Sequence, residues 1–314
     1  MTQLCLLSGL PPGEARRVGE IWKDVPLTRR RKMTRRMAEL AEQNIELNFD
    51  PLFLTCLDDE DPEVRALAVE GLWESEDVGL VGRFVRLLEQ DESPVVRAAA
   101  AEGLGRFLLL SELGEIDAAL GVRAEQALLG SIHTPTEDPD VRRRAIESLA
   151  YSSEAGVNDI IEDAYYNGDQ KMRVSALFAM GRSADIRWRD IVEKELFSPD
   201  PEIRFEAARA CGELEHSGAL PRLFDLVEDD DVEVQEAAIW SIGQIGGNEA
   251  RRVLTQLLDH PDESISQVAL EALELLEFQM GAGVPLFDSE DEWAYDFLDD
   301  DDLGDQLMRE LWDD

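Results

Sequence analysis

The chain has 314 residues, 44% of them hydrophobic, and sets 30 basic against 69 acidic side chains for a formal net charge of −39. That balance excludes nucleic acid, which demands a basic footprint, and anionic membrane surfaces; it permits basic protein partners steered by a long-range field, and it also serves plain solubility. No run of 18 apolar residues marks a membrane span, the start does not read as a secretory leader, and Cys5, Cys56 and Cys211 form neither a disulfide framework nor a zinc motif, so a reducing cytoplasm is the expected location.

Residues 1–49 read as an atypical N-terminal helical cap. Pro11-Pro12-Gly13-Glu14 suits a helix start, with Val18, Ile21 and Trp22 on one face, and Leu27, Met33, Met37, Leu40 and Ala41 suggest a second helix. Residues 1–36 hold nine basic and three acidic residues, a net +6. The run Arg29, Arg30, Arg31, Lys32, Arg35, Arg36 therefore has a second reading, as a docking patch for an acidic partner, the chain's own C-terminal segment among the candidates.

From residue 50 to 283 one phrase recurs seven times. Its copies begin at Asp61, Ser93, Asp138, Asp169, Asp200, Asp231 and Asp262, and the fifth position steps from Arg65 by 32, 45, 31, 31, 31 and 31 residues. Asp at the N-cap accepts backbone N–H groups, Pro at the first helical position has its dihedral preset, and Glu or Asp next favours the helix dipole. Apolar residues follow at helical spacing, as in Val64/Ala68/Leu72 and Val234/Ala238/Ile242, and the middle member is Ala in all seven copies. A small residue precedes the last member, from Gly71 and Gly103 to Ser241 and Ala272, which lets helix axes approach closely. Gly105, Gly181, Gly212 and Gly243 sit where a helix ending in the left-handed conformation wants glycine, and Cys211 falls on the apolar stripe as a buried thiol. Amphipathic stretches between the copies, such as Val78–Leu88 and Ala250–Leu258, supply a first helix to each pair. The expected fold is all-α, an α-solenoid of about eight stacked antiparallel helical pairs.

At this point the pattern Asp-Pro-x-Val-Arg, then Ala, small and Leu, resembles HEAT repeats, above all the short HEAT-like type of phycobilin-lyase-related bacterial proteins. The resemblance covers about residues 50–280. It implies a ladder in which Asp61, Asp138, Asp169 and Asp200 pair with Arg65, Arg97, Arg142, Arg173 and Arg204 in some register. Gln235 and Ser266 depart from the pattern, so the ladder should stop before the last two repeats.

The 45-residue step inserts about 14 residues. Phe107–Leu110 should lengthen one helix and Glu115–Ile132 form a longer partner, either as a structural insertion or as a ridge on a binding face. The segment 284–314 carries one Arg and thirteen acids, among them the run Asp299–Asp302, interleaved with Phe297, Trp312 and other large apolar residues. It reads either as an amphipathic disordered segment that folds on a partner or as a cap on the last repeat.

Short signatures of catalysis are missing: there is no phosphate loop and no nucleophile elbow. Deoxyhypusine hydroxylase, a HEAT-like enzyme, holds two irons with repeated His-Glu pairs. Here His133 precedes Thr134, His216 precedes Ser217 and His260 precedes Pro261, so that activity is not transferred, and no cofactor or metal is expected. HEAT-like DNA-repair glycosylases need a basic groove that this acidic body does not offer. The second helix of each HEAT-like pair usually lines the concave side. Five residues after the Arg position come Glu70, Glu102, Glu147, Phe178, Arg209, Trp240 and Glu271; one residue after come Ala66, Ala98, Arg143, Val174, Phe205, Glu236 and Gln267. Phe178, Phe205, Arg209 and Trp240 would form the centre of a groove, with Glu147 and Glu236 in acidic walls, gripping a protein segment that carries basic residues. The competing assignment makes these side chains core edge. The expected function is a non-enzymatic scaffold or adaptor; alternatives are phycobilin-lyase-like or other handling of a tetrapyrrole-bearing protein, and an acidic mimic of nucleic acid that captures basic proteins.

Overall fold

A computed structural model describes residues 4–279; the readings made for 284–314 lie outside that range. Among the described residues there are sixteen α-helices and no strand. In chain order they form eight antiparallel pairs: α1 (Pro12–Trp22) and α2 (Leu27–Gln43), α3 (Asp50–Cys56) and α4 (Pro62–Gly71), α5 (Gly79–Gln90) and α6 (Pro94–Glu112), α7 (Ala118–His133) and α8 (Pro139–Leu149), α9 (Ala155–Asn167) and α10 (Gln170–Arg182), α11 (Arg189–Glu195) and α12 (Pro201–Glu213), α13 (Leu220–Leu226) and α14 (Val232–Ile245), α15 (Asn248–Leu257) and α16 (Glu263–Gln279). The molecule is an α-solenoid. The insertion lengthens α6 and α7, as the sequence predicts.

The repeated phrase opens the second helix of seven pairs. Asp61, Asp138, Asp169, Asp200 and Asp231 each accept a backbone N–H from the first turn of their own helix. The apolar stripe is buried in every copy, save for its last member, the half-buried Leu273: Val64, Ala68, Val96, Ala100, Val141, Ala145, Val234, Ala238 and Ile242 are fully enclosed, and Cys211 is so deeply buried that its thiol pKa is pushed up to about 12. In the first pair Trp22 is buried with Val18 packed on the core, but Ile21 is exposed; its position on α1 turns it away from α3.

Even-numbered helices pack on one another without a break, from α2 on α4 to α14 on α16, whereas few odd-numbered helices touch their successors extensively. The close side of such a stack is its inner, concave side. The glycines at the contacts explain the approach. Gly105, Gly181, Gly212 and Gly243 do not end helices in the left-handed region; they are buried within even-numbered helices. A Cβ at Gly212 would lie 2.9 Å from the Cα of Ser241, one at Gly181 2.9 Å from the Cα of Ala210, and one at Gly243 2.9 Å from the Cβ of Ala272. Each glycine thus receives the small residue of the next helix. The left-handed positions come three residues later, at Ala184, Glu215 and Gly246, with φ of 51°, 46° and 69°.

The arginine ladder takes a different register from the one the resemblance implies. Arg65 binds Asp91 through two parallel hydrogen bonds of 2.8 Å, and Arg204 binds Asp229 through bonds of 2.9 and 2.7 Å. Arg97 reaches Glu137, and Arg30 reaches Asp59. The acid stands one or two residues ahead of the next N-cap. Asp59, Asp91 and Asp229 also accept the N–H two residues on, which fixes each turn. The arginines bind backwards as well: Arg65, Arg97 and Arg204 donate to the carbonyls of Asp59, Asp91 and Ser198, six residues earlier. Gln235 keeps that backward bond, to Asp229, without a forward ion pair. Arg173 finds Ser198 where an acid would stand and pairs with Glu195 instead. Arg142 meets Asn167; its Nε is buried without a partner, beside Asn167 in a small cavity. Asp138 and Asp169 remain N-caps, Asp200 also accepts from Gln170, and Asp61 pairs with Arg31.

Three substitutions test this packing. Gly212→Ala forces a methyl into the Ser241 contact, and chemical denaturation should register a loss of about 1–3 kcal/mol, the usual cost of overpacking. Asp229→Asn leaves Arg204 without its carboxylate and should cost about 2 kcal/mol. Asn167→Asp, spaced from Arg142 as Asp229 is from Arg204, supplies the missing rung and should raise the melting temperature.

Candidate functional site

On the inner face three of the four residues of the sequence-predicted centre come together, from the successive even-numbered helices α12 and α14. Arg209 of α12 lies over the rings of Phe205, 5.9 Å from its centroid, and of Trp240 on α14, at 5.5 Å. The three side chains are half-buried, an arrangement in which a guanidinium holds two aromatic faces open to solvent at their edges. Phe178 on α10 does not join them: Arg182 covers its ring at 5.4 Å. Glu213 connects the two arginines, 3.4 Å from Arg182 and 3.7 Å from Arg209.

Among these groups sits Glu206, a residue the sequence pattern did not single out. Burial pushes its carboxyl up to about 7; Arg209 and Arg182 pull against that, while Glu147 and Glu213 add to it. A periodicity that separates buried from exposed faces cannot identify a half-buried acid between two helices, whereas its neighbours in space can.

The predicted walls divide. Glu147 is not an exposed wall residue: it is only 9% accessible, accepts a bond of 2.5 Å from Ser175 and one of 2.8 Å from Arg144. Arg143 in turn donates to Ser175 at 3.0 Å, so α8 and α10 are tied together on the inner face. Glu236 is half-buried and accepts from Ser264. Ala66 and Val174, placed on the same row as Phe205 and Glu236, are buried between helices instead. The row one residue after the arginine faces the next helix more than the groove.

The row five residues after the arginine does converge. Glu70, Glu102, Glu147 and Phe178 line one cavity of roughly 720 Å³ spanning α4, α6, α8 and α10. Trp73, Leu109 and Tyr151 add apolar surface, and Glu42 adds a fourth carboxylate. Against these four acids stand Arg106 and Arg144. Arg106 is spent on the carbonyl oxygens of Trp73, Glu74 and Ser75 at the end of α4. Arg144 lies 3.6 Å from Glu102 and 2.8 Å from Glu147. Burial, and then repulsion from Glu102 and Glu42, raises the Glu70 carboxyl above the usual range.

The basic run on α2 is largely committed inside the fold. Arg30 binds Asp59 and Glu60, Arg31 binds Asp61 and Glu63, and Arg35 binds Glu63. Among the described residues no group of three or more His, Cys, Asp or Glu side chains is placed to hold a metal ion, and no helix is long and apolar enough to cross a membrane.

The fold and this inner face define a helical-repeat protein with a lined groove. Family comparison makes the class specific: the HEAT-repeats model matches residues 50–135 and 189–274, more than half of the chain, and the protein belongs to the HEAT-repeat family. No curated protein matches the sequence. Among solved structures, the complex of CpcE and CpcF of phycocyanin lyase from Nostoc sp. PCC7120 is similar at 20% identity and a TM-score of 0.48, over 73% of this chain and 94% of that one. Human deoxyhypusine hydroxylase aligns at 17% identity and a TM-score of 0.37, over 85% and 97%. An engineered protein aligns at 20% identity and a TM-score of 0.42, over 85% and 79%.

Glu206 generates a pH test. Its folded-state pKa of about 7 lies above the ordinary glutamate value of 4.5, so its stabilising contribution is complete below about 4.5 and is lost as pH rises through about 7. Glu206→Gln should therefore raise the melting temperature at pH 8 and change it little at pH 5.

Proposed function

We propose that the protein is a non-enzymatic scaffold or adaptor that binds a segment of another protein along its inner face, in a cytoplasmic setting. The observation that carries this reading is the Phe205–Arg209–Trp240 stack, which leaves aromatic edges and a guanidinium half-exposed in a groove. Aromatic and arginine side chains of this kind dominate binding energy at protein interfaces. The continuous stack of even-numbered helices offers the length that an extended or helical segment requires. The excess of acids along the groove favours a segment bearing basic residues.

Replacing Phe205 and Trp240 together with Ala tests the reading. Affinity capture from the native cell, with the full chain as bait, should lose its specific partner by at least about tenfold, while circular dichroism retains the helical signal. Unchanged capture by the double variant would sink the groove as the working surface. Capture that instead vanishes with modest added salt and ignores both substitutions would favour diffuse charge attraction, the behaviour of an acidic nucleic-acid mimic.

A further inference from the structure

We infer that the cavity spanning α4, α6, α8 and α10 is a pocket for one lysine or arginine side chain of the bound segment, an inference that rests on the proposed protein-binding function. Four carboxylates face two guanidiniums there, and both guanidiniums are already engaged within the protein. The unbalanced charge falls on the Glu42–Glu70–Glu102 side: Arg144 stands 3.6 Å from Glu102 against 2.8 Å from Glu147.

Charge complementarity sets the sign of the occupant, and the walls set its shape. Trp73, at 49% exposure, together with Leu109, Tyr151 and Phe178, presents apolar surface inside the same cavity. A bare metal ion would have no use for that surface, and the carboxylates do not converge as ligands. A cation on an aliphatic stem uses both features: the stem covers the apolar wall and the head reaches the acids, with an aromatic face available to it. Lysine and arginine are the protein side chains built this way.

The pocket also fixes a register. From α6, at its middle, to α12, which carries Arg209, the stack advances three even-numbered helices, about 30 Å at the usual interaxial spacing. An extended segment covers that span with about nine residues. The basic residue should therefore stand about nine positions from the aliphatic or aromatic residue seated at Phe205 and Trp240.

The first test uses n-butylammonium, the lysine side chain alone, with butan-1-ol as its uncharged counterpart. The full chain is labelled with 5-fluorotryptophan, and the Trp73 signal is assigned by its loss in Trp73→Phe. Fluorine NMR should show a saturable shift of the Trp73 resonance by the ammonium and not by the alcohol, with the Trp240 resonance unmoved. Glu70→Gln combined with Glu102→Gln should weaken the effect about tenfold, the value of a lost charge-assisted contact. Arg144→Gln, which removes the internal competitor from Glu102, should strengthen it severalfold, a result that damaged folding cannot produce. An unmoved Trp73 signal, an equal response to the alcohol, a common drift of all tryptophan signals, or indifference to these substitutions overturns the pocket.

The second test separates the pocket from the function it serves. Random peptides selected on the full chain should be enriched in a lysine or arginine about nine residues from an aromatic or aliphatic residue, and the Glu70/Glu102 double variant should lose only the basic preference. Peptides that bind through Phe205 and Trp240 without that preference overturn the pocket and leave the scaffold reading standing. An ammonium response at Trp73 with no peptide enriched and no partner captured overturns the scaffold reading, and with it the assignment of the pocket to a bound segment.

Discussion

The structure depends on an arginine that is held at both ends. In Arg65, Arg97 and Arg204 one nitrogen donates back to the turn before its own helix while the rest of the guanidinium reaches forward to an acid in the turn before the next. One side chain thereby sets the spacing of two successive repeats. The acid is equally divided, since Asp91 and Asp229 accept the guanidinium and also close their own turn onto the next N-cap. In Asp229 burial works against ionisation, but Arg204 and the Asp231 N–H outweigh it and hold the carboxyl below its usual range. Such partly enclosed ion pairs are costly to break on one side only, which gives each turn a defined geometry as well as stability.

A turn fixed in that way lets the helices meet on small residues. The even-numbered helices approach until a glycine faces the Cα of the next helix, and Ser148 and Ser241 hydrogen-bond across to the carbonyls of Ala101 and Ala208. The odd-numbered helices press larger apolar side chains, such as Phe53 and Phe84, onto Gly71 and Gly103 of their even-numbered neighbours and pack less on one another. Unequal spacing on the two sides is what curves the stack, so curvature and the lining of the inner face come from the same positions in the repeat.

Much of this is legible in the sequence, because the repeat displays it many times over. The helix starts, the buried stripe ending at Leu72 or Cys211, and the longer α6 all follow from local rules of capping and periodicity. The ladder acids do not, because Asp91 and Asp229 lie in turns where any acid looks like a solvated turn residue. The glycines at 105, 181, 212 and 243 have the composition of helix ends, yet they answer to a small residue one repeat further along the chain. On the inner face, periodicity sets Arg209 and Trp240 on one row, and the two do meet, but it has no means to tell Glu147, buried on Ser175, from Glu102, which stays exposed. Those differences belong to pairs of repeats, and a pattern read one repeat at a time averages over them.

The junction between α8 and α10 shows what happens where the ladder lapses. Arg142 faces Asn167 and forms no rung, and the two matches to the family model stop at residue 135 and resume at 189, on either side of this junction. The two helices are joined instead on the inner face, where Glu147 and Arg143 of α8 both bind Ser175 of α10. That tie draws on the same row of residues that lines the cavity, and Glu147 is part of both. A fastening on the turn edge leaves the groove free to vary, whereas a fastening inside the groove couples the spacing of two repeats to whatever occupies it. The departure from the repeat pattern and the most distinctive part of the inner surface therefore fall together because one set of side chains serves both.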